Sequence, residues 1–149
     1  MLEKSNLSQL ERQLIAWRRQ LHRIPEVSYK EEKTSQTVAA ELQKLGLSVQ
    51  TFSNHYGVCA IVHGSQPGPV IAFRADMDAL SIREEVASEF RSEHEGAMHA
   101  CGHDGHMAML LGLASLLHNN RQHLAGTVKL FFQSAEEASP EGGAHFFLE

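Results

Sequence analysis

The sequence predicts an α/β domain, and three features lead to that fold class. Two stretches near the N-terminus repeat apolar residues at the spacing of amphipathic helices. Short apolar runs follow, and those beginning at Val70 and Gly126 lead closely into acidic residues. A helical run beginning at Met107 separates these two. Strands alternating with helices are typical of α/β folds, which bind ligands at the carboxyl ends of their strands.

The first predicted helix spans Leu7–His22 and ends before Pro25, because a proline pushes the residue before it out of the helical region. Its apolar positions are Leu7, Leu10, Leu14, Trp17 and Leu21. A second helix is predicted over Lys30–Leu45, with Gly46 as its stop.

Three strands are predicted next along the chain. Ser48–Ser53 and Val58–His63 are strand-like, and Gly64–Pro69 has the composition of a turn. Val70–Phe73 is a continuous apolar run of the kind that is buried on both faces of a sheet.

The remaining chain completes the α/β pattern. The polar stretch Ser81–Gly96 is predicted as a loop and Met107–Leu117 as a strong helix. Gly126–Gln133 is predicted as a further strand, and a short helix is expected to begin near Gly143. The sequence shows no internal repeat.

Length and composition fit one globular domain: 149 residues, of which 42% are hydrophobic and 21% charged. A net charge of −5 argues against nucleic acid or an anionic membrane as a partner. The apolar runs are shorter than the roughly 18 residues of a membrane span. The N-terminus lacks a signal-peptide segment, so a cytoplasmic location is expected. Two cysteines, Cys59 and Cys101, do not suggest a disulfide scaffold.

The segment Met98–His106 concentrates metal-binding groups, with three histidines, one cysteine and one aspartate in nine residues. Cys101 and His103 flank Gly102, and a glycine there allows both side chains to aim at one point. Thiolate and imidazole are ligands for Zn²⁺ and other borderline divalent ions. The segment therefore predicts a metal site.

The second chemical signal is the pair Glu136 and Glu137, directly after the predicted strand that ends at Gln133. Adjacent carboxylates repel each other, and a cation is the natural partner for one of them. Metal-assisted hydrolysis uses one carboxylate as a ligand and another as the general base, so a neighbouring pair can divide these tasks.

Each of the other polar residues in these segments has two possible interpretations. Asp76 and Asp78 face the same side of an extended chain, so one of them could orient a ligating histidine. Alternatively both cap a loop, with Arg74 as an ion-pair partner. His106 is either a ligand or a cap of the following helix, and His99 is either a ligand or a supporting or substrate-contacting residue.

These groups meet at one edge of the sheet if the strands that precede them are parallel neighbours. Four segments in this order then resemble the M20 metallopeptidase family, specifically the amidohydrolase branch. That branch includes hippurate hydrolases, N-acetyl-diaminopimelate deacetylases and hydrolases of auxin–amino acid conjugates. The four segments are Arg18–Glu26, Phe73–Leu80, Met98–His106, and Phe132–Glu137 with Gly142–Ala144.

The resemblance implies a zinc-peptidase-like fold with a mixed sheet flanked by helices, and a centre of two divalent ions. The implied metal ligands are Cys101, His103 and Glu137. Zn²⁺ or Mn²⁺ is the implied metal, with Co²⁺ and Ni²⁺ as further options. Glu136 corresponds to the general base that activates water, and Asp76 or Asp78 to the supporting catalytic carboxylate, with Asp76 favoured. The implied reaction hydrolyses an N-acyl amino acid, a small-molecule substrate, to a carboxylate and a free amino acid.

Members of this family are longer, so residues 1–149 are expected to form the N-terminal part of a catalytic domain. The segment would end before a smaller domain that serves dimerisation and closes the site, and before two further metal-binding histidines. The isolated chain is therefore expected to be inactive or nearly so, and the full-length protein to form a homodimer. Ser81 and Ser134 stand where the family usually has proline.

Two other functions compete with the amidohydrolase interpretation. One is a non-catalytic domain that binds metal or a partner through an exposed sheet edge. The other is a hydrolase with Cys101 as nucleophile, which is disfavoured because it leaves the carboxylate pairs without a role.

Overall fold

The computed structural model describes residues 4–148, and their order of elements is α/β. The α-helices are α1 (Lys4–Arg23), α2 (Glu32–Lys44) and α3 (His103–Asn119). The strands are β1 (Ser48–Thr51), β2 (Val58–His63), β3 (Gln66–Asp76) and β4 (Ala125–Gln133). Short 3₁₀ helices cover Arg121–His123 and Gly143–Phe147, the second at the position where the sequence predicts a last helix.

The four strands form a mixed sheet in the order β1-β2-β4-β3. β1 pairs with β2, and β2 with β4, in antiparallel fashion, whereas β3 and β4 are parallel. In the parallel register Asp76 lies opposite Gln133, so both strands end at the same edge of the sheet. This confirms the predicted mixed α/β architecture, and it carries the acidic residues after both strands to one place.

The core lies between the helices and one face of the sheet. α3 packs against β2, β3 and β4, α1 packs on α3, and α2 contacts β1 and β2. The sheet contributes Val128, Leu130 and Phe132, which alternate along β4 and are fully or almost fully buried. Met107 and Leu111 of α3 are completely buried against this face. The periodic apolar residues of the sequence thus form one continuous core.

The prediction that Val70–Phe73 is buried on both faces is wrong. β3 is an edge strand of the described sheet, and Val70 and Ile71 are 64% and 48% exposed. It also begins at Gln66, inside the predicted turn, and Pro67 fits there because an edge strand does not need every backbone N–H for pairing. An apolar run indicates a strand but not whether a neighbour covers both of its sides.

α3 begins four residues before the predicted start at Met107. Gly102 precedes it with a left-handed φ of 88°, a conformation that favours glycine, and His103 is the first helical residue. His103 and His106 are therefore on a helix rather than in a loop. Within residues 4–148, no helix is both long enough and apolar enough to cross a bilayer.

Candidate metal centre

Three predicted ligands converge at the carboxyl edge of β3 and β4. Cys101 lies just before α3, His103 is the first residue of α3, and Glu137 follows β4. One ligand atom from each of the three, a thiol sulfur, an imidazole nitrogen and a carboxylate oxygen, lies within 4.8 Å of the other two. His103 is buried, whereas Cys101 is exposed, so the group is open to solvent on one side.

His103 is held in a fixed orientation by Asp78. Its Nδ1 lies 2.8 Å from the backbone carbonyl oxygen of Asp78 and 3.3 Å from Oδ1 of the same residue. Its Nε2 faces the acidic pair, 3.8 Å from Oε2 of Glu136 and 3.9 Å from Oε1 of Glu137. Burial would lower the pKa of the imidazole, but the hydrogen bonds with Asp78 raise it to about 9.

Asp78 is almost completely buried and holds two further groups. The hydroxyl of Ser28 donates to its Oδ2 at 2.7 Å, and the backbone N–H of Glu137 donates to the same oxygen at 2.9 Å. Burial alone would raise the pKa of this carboxyl. The hydrogen bonds outweigh burial and bring the pKa below its ordinary value, so Asp78 is a carboxylate that anchors both His103 and Glu137.

Asp76 occupies a different environment. It belongs to a second potential group, with His103 and His106, whose ligand atoms also lie within 4.8 Å of one another. The two groups share His103, of which only Nε2 is free to bind an ion because Nδ1 contacts Asp78. They are therefore alternatives for one ion, and Arg74 already pairs with Asp76, with Nε 3.1 Å from Oδ1. These facts favour the group of Cys101, His103 and Glu137.

Glu136 lies beside this group but outside it. Its side chain is 37% exposed and its Oε2 faces Nε2 of His103. A carboxylate next to the ligands and reached by solvent is placed to accept a proton from water. Of the adjacent pair, Glu137 belongs to the group of potential ligands and Glu136 lies next to it.

The thiol of Cys101 is protonated in the absence of an ion. A hydrogen bond with the Glu137 side chain raises its pKa, and burial and the surrounding negative charge of Glu137, Glu136 and Asp78 act in the same direction. A divalent cation would reverse this balance, because a coordinating thiol is deprotonated. The same excess of negative charge that disfavours a thiolate here favours a bound cation.

The two remaining histidines of the segment differ in burial. His99 is buried, which lowers its pKa to about 4, and neither ring nitrogen makes a hydrogen bond to a residue in the described part of the chain. It lies beside His22, with 6.4 Å between ring centroids. His106 is exposed on the first turn of α3, with its ring 5.4 Å from that of His103.

His22 is a supporting residue that the sequence pattern did not reveal. Its Nδ1 lies 2.8 Å from Oδ2 of Asp104, and its Nε2 lies 3.3 Å from Oε1 of Glu84. Arg18 donates to the same oxygen of Asp104 at 3.2 Å. Because Asp104 follows His103, this network fixes the first turn of α3, which carries the candidate ligand. The only sequence signal was the position of His22 inside one of the four family-like segments.

Ser28 and Glu31 are two more residues that contact the site region and that the sequence reasoning missed. Ser28 binds Asp78, and Oε1 of Glu31 accepts a hydrogen bond from the backbone N–H of Ala135 at 2.7 Å. No periodicity or motif points to these residues, because both contacts join parts of the chain that are far apart in sequence.

The arrangement fits a divalent metal ion. Thiolate, imidazole and carboxylate form a donor set typical of Zn²⁺ and other borderline ions. The described ligands are three protein groups with one open side, which is the composition of a catalytic rather than a structural metal site. Asp78, which orients the ligating histidine from the opposite side, is the kind of supporting carboxylate that such sites use.

Comparisons with known proteins identify the family of this chain. Residues 72–149 match the model of peptidase family M20/M25/M40. The chain is 48% identical over 146 residues to an N-acyl-L-amino acid amidohydrolase of Geobacillus stearothermophilus. It is 46% identical over 147 residues to thermostable carboxypeptidase 1 of Saccharolobus solfataricus. Each match covers 98% of this chain but 39% and 37% of the relative, respectively.

A solved structure is similar over the same range. The YxeP protein of Bacillus subtilis, described as a dinuclear metal binding peptidase from the M20 family, superposes with a TM-score of 0.88 at 40% identity. The match covers 95% of this chain and 39% of that protein. The chain thus spans well under half the length of these similar proteins.

Proposed function

The chain belongs to peptidase family M20/M25/M40, and we propose on that premise that it forms the metal-binding part of an N-acyl amino acid amidohydrolase. The observation that carries the proposal is the convergence of Cys101, His103 and Glu137 within 4.8 Å, with Glu136 beside them. The similarity to an N-acyl-L-amino acid amidohydrolase supports the substrate class.

The proposed cofactor is a pair of divalent ions, Zn²⁺ or Mn²⁺, with Co²⁺ or Ni²⁺ as alternatives. When bound, such ions polarise an amide carbonyl and make water more acidic. Cys101, His103 and Glu137 would hold them through thiolate, imidazole and carboxylate donors. Three protein donors suffice for one ion, so a complete two-ion centre needs ligands besides these.

In the proposed reaction Glu136 is the general base. Its exposed carboxylate accepts the proton of the attacking water and then passes a proton to the nitrogen of the departing amino acid. Asp78 keeps His103 and Glu137 in place while charge develops on the substrate. We propose Asp78 rather than Asp76 as the supporting carboxylate, because its oxygens contact His103 and the backbone of Glu137, whereas Asp76 pairs with Arg74.

A chimera tests this function. The 146 matched residues of the Geobacillus amidohydrolase are replaced by this chain, and metal-dependent release of amino acid from N-acetyl and N-benzoyl amino acids is measured. We expect turnover by the chimera and a large loss on Glu136→Gln. The 149-residue chain alone is expected to bind metal weakly and to show little or no turnover. A folded, metal-loaded chimera without hydrolytic activity would contradict the proposal.

A non-catalytic metal-binding or partner-binding domain is the second candidate. The exposed apolar side chains on β3, notably Val70 and Ile71, favour it, because an uncovered apolar strand edge promotes association. A reading frame that continues beyond Glu149 with a histidine in the following segment would favour the enzyme. Three further points stay predictions: that residues 1–149 are the N-terminal part of a catalytic domain, that the full-length protein is a homodimer, and that it is cytoplasmic.

A further inference from the structure

The segment Ser28–Glu31, between α1 and α2, touches the metal-site region at three points. The hydroxyl of Ser28 donates to Asp78, and the phenol of Tyr29 donates to the backbone carbonyl of Glu141 at 2.6 Å. The third contact is the hydrogen bond from the backbone N–H of Ala135 to Oε1 of Glu31. Ser28 thus contacts the segment after β3, whereas Tyr29 and Glu31 contact the segment after β4.

Ala135 sets the direction of the acidic pair because it directly precedes Glu136. It is completely buried and has a left-handed φ of 54°, which costs a non-glycine residue on the order of 1 kcal/mol or more. Its carbonyl accepts a hydrogen bond from the backbone N–H of Gly143 at 2.8 Å. A Cβ at Gly143 would lie 2.1 Å from the carbonyl oxygen of Ser134, so this approach requires glycine. The turn is thus held on its carbonyl side by Gly143 and on its amide side by Glu31.

Glu31 makes this contact at an energetic cost. Its side chain has no exposed surface, and burial, with a smaller contribution from the charge of Asp78, raises its pKa to about 7. Although Glu31 precedes the first residue of α2, its side chain makes no capping hydrogen bond to that helix. The carboxyl group is directed instead to a backbone amide 104 positions away in sequence. Within residues 4–148 this buried carboxyl group makes no capping hydrogen bond and no ion pair, so its contact with Ala135 calls for another role.

We propose that Glu31 is a positioning residue that fixes the left-handed turn at Ala135 and thereby directs the carboxylates of Glu136 and Glu137 toward the metal site. The inference rests on the proposed metal centre and goes beyond it, since Glu31 touches neither ligand nor substrate. Glu31 accepts a hydrogen bond from the backbone N–H of Ala135, and Asp78 accepts one from the backbone N–H of Glu137. Two buried side chains therefore hold the backbone on both sides of Glu136.

Three substitutions separate this role from a merely structural one. Glu31→Gln retains an oxygen that can accept from the amide of Ala135. Glu31→Met fills a similar volume without an acceptor, and Glu31→Asp keeps the carboxylate but withdraws it by one methylene. Each variant of the 149-residue chain is titrated with Co²⁺ near neutral pH, and the thiolate-to-metal charge-transfer absorption of Cys101 is recorded. Thermal unfolding without metal is measured in parallel.

We expect the Glu31→Gln variant to bind Co²⁺ as tightly as the unmodified chain does. The Glu31→Met and Glu31→Asp variants should bind Co²⁺ at least about tenfold more weakly. This difference must appear at temperatures where circular dichroism shows all proteins folded. Equal Co²⁺ affinity for all variants would overturn the inference while leaving the metal centre intact. If only one of Met and Asp folds, that variant decides the question, and unfolding of both indicates a structural role and overturns the inference. An unmodified chain that binds no Co²⁺ would instead remove the proposed metal centre itself, and this inference with it.

Discussion

Nδ1 of His103 contacts the backbone carbonyl of Asp78 at 2.8 Å and its side-chain Oδ1 at 3.3 Å. This relationship settles which imidazole nitrogen can bind an ion. Nδ1 is the hydrogen-bond donor, so Nε2 points to the site with its lone pair available once the proton leaves. The segment after β3 thus orients the candidate ligand His103 on α3, although the two residues are 25 positions apart in sequence.

Asp78→Asn should weaken metal binding by about 10-fold to 100-fold, the usual effect of losing a carboxylate that orients a ligating histidine. Asp76→Asn should weaken it much less, because the Asp76 carboxylate pairs with Arg74 rather than with a ligand. Calorimetric titration of both variants with Zn²⁺ measures the difference. A larger loss for Asp76→Asn would show that the metal lies in the group of Asp76, His103 and His106.

Cys101→Ser should abolish the thiolate-to-Co²⁺ charge-transfer band and reduce affinity, since a hydroxyl is a far poorer ligand than a thiolate. The chain provides its own control in Cys59, the other free cysteine, which is buried in β2. Cys59→Ala should leave the band unchanged. Absorption spectra at saturating Co²⁺ compare the two variants, and a band that survives Cys101→Ser would argue against thiolate ligation.

The acidic pair should respond asymmetrically to neutralisation. In the active chimera, Glu136→Gln should lower kcat by about 10²-fold to 10⁴-fold while metal content stays unchanged, because a general base is lost but no ligand. Glu137→Gln should lower metal affinity first and activity as a consequence. Turnover measured alongside elemental analysis separates the two effects. Loss of metal in the Glu136→Gln protein would reverse the assignment.

The pH dependence of stability should carry a contribution from Glu31. Its pKa is about 7 in the folded chain and about 4.5 in the unfolded chain, so the unfolded state releases this proton first as pH rises. The contribution to the free energy of unfolding is fully present below pH 4.5 and is lost as pH rises through about 7. Its size is on the order of 3 kcal/mol for a fully buried group.

Glu31→Gln removes this titration, so the difference between the two proteins isolates it from the histidines that titrate in both. The unmodified chain should lose stability relative to Glu31→Gln between about pH 5 and pH 8. Urea denaturation of the metal-free proteins at both values provides the measurement. A constant difference across this range would mean that Glu31 titrates normally.

Many of the candidate metal-binding groups could be predicted from the amino-acid sequence alone. The spacing of Cys101 and His103 around a glycine identified two members of the group within 4.8 Å, and the acidic pair after an apolar strand contains the third, Glu137. These signals are local, because a ligand pair two residues apart and a strand that ends in acids are properties of short segments. The boundaries of α1 and α2 were also predicted to within a few residues, since helix periodicity and stop signals act locally.

Contacts between distant segments required the tertiary structure. The sequence placed Asp76 and Asp78 on one side of the chain but did not distinguish the residue that contacts His103 from the one that pairs with Arg74. It gave no sign of the Glu31–Ala135 contact, which depends on where the start of α2 packs. The sequence also did not predict the exposure of β3, because an apolar run looks the same whether or not a neighbouring segment covers it.

The amino-acid sequence by itself determined the donor types, their local spacing and the alternation of helices and strands. Only the folded chain decided which imidazole nitrogen faces the site, which aspartate holds it there, and which buried glutamate fixes the turn before the acidic pair. The physical reason is that side-chain identity and backbone propensity are local, whereas orientation and burial arise from packing between segments that lie far apart in the chain.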